Sequence, residues 1–116
     1  MLFRSKQLCS EPGDHAGEME TAFGLAYFPD FVARDAQSGK LAADAGAMQP
    51  TRFAAVNRGW ISITRPWHLL TTNTGAGNPH GATAEQGTQL VETIVSRLAD
   101  FLVELAAAEL DEKFPF

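Results

Sequence analysis

Four ionisable side chains fall within eight positions at Asp14-His15-Ala16-Gly17-Glu18-Met19-Glu20-Thr21. Histidine titrates near neutrality, so His15 can take up and return a proton at working pH. Asp14 could orient the imidazole, and Glu20 could hold a ligand or a metal-bound water. On an ideal helix two residues five apart point about 140° away from each other, at 100° per residue. His15 and Glu20 therefore converge only if His15 lies in the loop before the first helical turn. Small Ala16 and Gly17 permit that geometry and let a substrate approach the backbone. A purely structural reading competes: Asp14 caps the helix, Glu18 complements its dipole at the surface, and His15 is incidental. Spacing alone leaves both open.

Other chemistry-bearing residues are scattered. Cys9 is the single cysteine, which excludes an internal disulfide and any cysteine-based zinc site, and it reads as a non-reactive thiol. His68 follows Trp67, and His80 sits in a glycine-rich stretch. None of the three histidines has the i, i+4 spacing of a helical metal pair, so no metal site is expected from this chain by itself. Trp60 and Trp67 read as core or oligomer interface before substrate wall. Thr74-Gly75-Ala76-Gly77 is either an anion cradle of backbone amides or a tight turn.

The elements that must position these residues are few. Apolar Met19, Ala22, Phe23, Ala26 and Tyr27 recur at helical spacing, which predicts a helix from Ala16 to Phe28. Pro29 ends it, because proline lacks an amide hydrogen and restricts the residue before it. Residues 33–51 read as a long loop with one weak helical turn. Arg52 to Asn57 suits a short helix or a strand. Gly59 to Thr64 is the best strand pattern, stopped by Pro66. Thr71 to Gly81 is a loop. The last element is the clearest: Thr83 and Gln86 have capping-box spacing, and Leu90, Ile94, Leu98, Phe101 and Leu105 form an apolar stripe. Carried to about Leu110, that helix would be roughly 40 Å long.

The chain is 116 residues with 45% hydrophobic and 20% charged residues, enough for one small domain. A net charge of −5 argues against a nucleic-acid or anionic-membrane surface. No segment approaches the roughly 20 apolar residues of a membrane span. Met1 to Ser10 lacks the long apolar stretch of a secretory signal, so a cytoplasmic location is expected. One isolated strand would leave its hydrogen bonds unpaired, and the long helix stripe needs a long partner. The pattern suits part of a larger α/β layer structure.

Gly13-Asp14-His15-Ala16-Gly17-Glu18-Met19-Glu20-Thr21 resembles the His-Ala-Gly-x-x-Glu-Thr signature of the creatininase (creatinine amidohydrolase) family. Phe28-Pro29-Asp30-Phe31-Val32 is similar to its Pro-Asp-Leu-Val stretch. Arg58-Gly59-Trp60 to Pro66-Trp67, and Thr74-Gly75-Ala76-Gly77-Asn78-Pro79 to Ala82-Thr83-Ala84-Glu85-Gln86-Gly87, follow in family order. Ala22 stands where a serine usually follows the Glu-Thr pair. The resemblance implies a metal-dependent hydrolase of cyclic amides or other non-peptide C–N bonds. It also implies a three-layer α/β/α fold, of which this chain would be the C-terminal part ending in the long amphipathic helix. A small-molecule amide substrate, homo-oligomers, and two zinc or manganese ions per site come with it.

By the same resemblance His15 and Glu20 are the catalytic residues, with Asp14 and Gly17 on the substrate. Glu18 belongs to the variable pair inside the signature. The family's metal-ligand phrases lie upstream of the signature and are missing from the residues before Gly13. Residues 1–10 match the family poorly, and 11–112 read as the C-terminal half of a creatininase-like domain. The alternative is a non-catalytic truncated remnant that acts only through association with another chain.

Overall fold

The computed structural model describes residues 8–11, 13 and 15–114. Among the described residues four α-helical segments follow one another: α1 (Glu18–Tyr27), α2 (Ala54–Asn57), α3 (Trp67–Leu70) and α4 (Ala84–Ala107), with a 3-10 turn at Pro29–Phe31 after α1. Helix α1 stops where proline requires it, and the Phe28 amide closes the end on the Gly24 carbonyl at 2.8 Å. The ambiguous segment at 52–57 resolves as helix. The weak helical turn expected within 33–51 is instead a hairpin-like turn, in which Arg34 bridges Leu41 and Asp35 Oδ1 accepts from the Gln37 and Ser38 amides.

The capping box at α4 forms as read. Gln86 N–H donates to Thr83 Oγ1 at 3.1 Å, and the Thr83 amide donates to Gln86 Oε1 at 2.7 Å. The helix ends at Ala107, three residues short of Leu110. Helices α1 and α4 pack on each other through small residues. Ala22 is fully buried, and a Cβ built on Gly87 would lie 2.0 Å from the Ala22 carbonyl oxygen. Only glycine lets the two backbones approach so closely.

The strand expected at Gly59 to Thr64 is absent. Among the described residues pairing is limited to isolated antiparallel bridges: His15 with Ala76, Gly46 with Gly77, Met48 with Thr71, and Arg34 with Leu41. A β-branched run forms a strand only when a partner offers a ladder, and no described segment forms a bridge with this one. Trp60, Ile61 and Ile63 are exposed instead. Segment 71–77 is the centre of what pairing exists, gripped by His15 on one side and by residues 46–48 on the other. The radius of gyration, 18.7 Å, is well above the ~13 Å of a compact domain of about 100 residues. Among the described residues the buried apolar core consists of Ala22, Ala76 and Leu90.

Candidate functional site

His15 lies in the loop ahead of α1, whose N-cap is Gly17. That position solves the angular problem of the five-residue spacing. Ala16 takes a left-handed φ of 52°, which swings the chain into the helix. The His15 imidazole Nδ1 then comes within 3.6 Å of Glu20 Oε2, with both side chains about half exposed. Glu20 also accepts the Ala16 amide, so one carboxylate holds the bend and faces the imidazole. The N-cap is Gly17, and no described side chain caps it. Asp14 lies outside the described residues.

The His15 backbone is fixed independently. Its carbonyl accepts the Ala76 amide at 2.9 Å, and its own amide donates to the Ala76 carbonyl at 3.4 Å. Gly17 is buried, and the close approach its missing side chain allows is used by protein. A Cβ there would meet Gly13 Cα at 3.2 Å and Gly77 Cα at 3.4 Å. Three glycines thus bring the signature loop against segment 75–77. All four amides of Thr74 to Gly77 are taken, by Thr71 Oγ1, Asn73 Oδ1, His15 O and Gly46 O. The anion-cradle reading is therefore overturned, because no amide is left to hold an anion.

Glu18 corrects the sequence reading most sharply. It is 1% exposed, so it is no surface contact with the helix dipole. Its Oε2 accepts from the Ser10 amide and hydroxyl, both at 2.8 Å, and from the Glu11 amide at 2.9 Å. Its Oε1 accepts from Gln86 Nε2 at 2.8 Å, and that same amide group donates to the Leu8 carbonyl at 2.7 Å. Burial by itself pushes the carboxyl up, but the Glu11, Ser10 and Gln86 donors together outweigh it and hold it below its ordinary value. Sequence offered one signal for this: Glu18 is four residues before Ala22, on the α1 face that meets α4. Burial, and secondarily the Glu18 charge, raises the Cys9 thiol, in keeping with a non-reactive cysteine.

Trp67 is the other residue that spacing did not connect to the site. Its ring meets the His15 imidazole edge to face, with centroids 5.3 Å apart. Trp60 lies far out in solvent, 71% exposed, under Arg58. His68 and His80 are both exposed. Among the described residues no group of three or more His, Cys, Asp or Glu side chains comes together to hold a metal ion. The His15–Glu20 pair offers two donors at most. The zinc or manganese centre that the resemblance implies therefore does not fit the described residues by themselves. No helix among the described residues is long and apolar enough to cross a membrane.

A loop histidine thus faces a carboxylate on a glycine-packed turn at the open end of a helix, an arrangement that can pass a proton. The family described as Creatininase: Creatinine amidohydrolase matches residues 3–102, and the chain belongs to that family. It is also similar to the crystal structure of a protein from Bacteroides fragilis NCTC 9343 that carries the assignment creatinine amidohydrolase. The two are 34% identical with a TM-score of 0.77, over 93% of this chain and 41% of the other. The chain thus spans less than half the length of that relative, and shares its creatininase-like fold. A search of curated proteins finds no match.

Proposed function

We propose that this chain supplies the proton-transfer half of a creatininase-type amidohydrolase site, acting on a cyclic amide or another small molecule with a non-peptide C–N bond. The observation that carries this is the convergence of His15 and Glu20 within 3.6 Å inside the family signature. When water attacks the amide carbonyl, it loses a proton as the C–O bond forms. The amide nitrogen must gain one as the C–N bond breaks. His15 accepts the first proton and delivers the second, the work of a positioned acid–base group. Glu20, beside Nδ1, stabilises the imidazolium formed in between. The metal donors come from another segment of the domain, in the same chain or in a partner. Residues 11–112 are on this reading the C-terminal half of a three-layer α/β/α domain that works as a homo-oligomer.

The test is turnover of creatinine by a fusion of this chain to the remaining part of the Bacteroides fragilis relative, with metal content held equal across variants. His15→Ala should lower turnover by about 10²–10⁴-fold, the usual worth of a positioned acid–base group. Glu20→Gln should follow it. Near-full turnover in His15→Ala would reject the assignment.

A second reading has one observation in its favour. From Val95 onward α4 shows Val95, Leu98, Phe101 and Leu102 each at least 50% exposed, as a surface built for association would. On that reading the chain is a non-catalytic remnant, and every variant of the fusion would be equally inert.

A further inference from the structure

We infer that Trp67 is a positioning residue for His15, an inference that rests on the reading of His15 as the proton carrier. Glu20 faces one nitrogen of the imidazole, but at 3.6 Å and half exposed it does not fix the ring plane by itself. The Trp67 ring does, standing at 83° to the imidazole with centroids 5.3 Å apart. Edge-to-face packing at this separation is an attractive geometry for two aromatic rings. It confines the imidazole to the orientation in which Nδ1 faces Glu20 and Nε2, across the ring, is left for the substrate.

The indole is itself held. Its Nε1–H donates to the Thr74 carbonyl at 2.8 Å. Thr71, 2% exposed, ties the two ends of this arrangement together: its hydroxyl donates to the Trp67 carbonyl at 3.0 Å and accepts the Thr74 amide at 3.1 Å. Thr74 adopts a φ of 70°, a left-handed conformation that a β-branched residue rarely accepts. Two residues on, Ala76 pairs with the His15 backbone. One short segment, 67–76, therefore grips both the main chain and the ring of His15. A wall residue that merely met the substrate would need neither the indole tether nor the turn at Thr74.

The experiment is NMR of the 116-residue chain, following the His15 ring protons, assigned with His15→Gln, in Trp67→Leu and Trp67→Phe. In Trp67→Leu the His15 ring resonance should move toward that of exposed His80, and its NOE to the Glu20 side chain should be lost. Trp67→Phe, which keeps an aromatic ring there, should keep the NOE while the ring-current shift changes. A His15 resonance and Glu20 NOE unchanged in Trp67→Leu would overturn the inference. Should Trp67→Leu not fold, Trp67→Phe decides alone, and an unchanged ring-current shift overturns the inference. No turnover enters this measurement, so its failure leaves the proposed function standing, and failure of the His15→Ala test leaves the ring contact standing.

Discussion

Glu18 shows what a single buried carboxylate does for the signature loop. Three donors from Ser10 and Glu11 converge on Oε2, and the Gln86 amide occupies Oε1. A glutamine at this position must turn its NH2 toward one of those donor sets, leaving buried groups unpaired. Glu18→Gln should therefore cost about 1–3 kcal/mol at neutral pH, measured by urea unfolding. Because the folded-state value lies below the ordinary one, Glu18 contributes stability above about pH 4.3, and loses it as pH falls through its folded value. The native chain should thus lose stability over that acid window, and Glu18→Gln should lose less. Equal stability of the two at neutral pH would refute the role. The sequence disclosed His15 and Glu20 because they are local to one turn. It hid Glu18's role because Gln86 is 68 residues away, and spacing carries no information about contacts at that range.

At the scale of elements, the α1–α4 pairing depends on the absence of a side chain at Gly87. A methyl group there would meet the Ala22 carbonyl at 2.0 Å and the Ala26 Cβ at 2.9 Å. Backbone cannot yield as a flexible side chain can, so the helices must separate. Gly87→Ala should destabilise by about 1–3 kcal/mol despite alanine's better helix propensity. Thermal melts check this, and a stabilised variant would mean the helices do not pack as described. The C-terminal end of α1 and the cap of α4 were legible because proline and the Thr83–Gln86 pair act locally, whereas α1 starts at Glu18, two residues after the expected Ala16. The strand at Gly59 to Thr64 was misread for a physical reason: its residues favour a pleated, half-buried surface, but pairing needs a second strand. None of the described residues supplies one.

For the whole molecule, the expectation that the α4 stripe outruns its partner agrees with the structure. Helix α1 has 10 residues against 24 in α4, so α1 covers Leu90 and leaves the later stripe exposed. The free chain should therefore self-associate, sedimenting above its 12.5 kDa mass, and Leu98→Glu with Phe101→Glu should shift it toward monomer. A wild-type chain that sediments as a stable monomer would contradict this. The family could be read from four ordered phrases. The layering of the whole domain could not, because this chain spans 41% of the relative it resembles. On the proposed reading the site is divided between a His15–Glu20 proton-transfer pair in this chain and metal donors elsewhere. Equilibrium dialysis of the purified 116-residue chain against zinc or manganese, followed by metal analysis, tests that division directly. Fewer than about one ion per chain should be retained, since a tight site needs three or more converging protein donors. A chain that retains a tightly held pair of ions, as a complete two-metal hydrolase would, contradicts it.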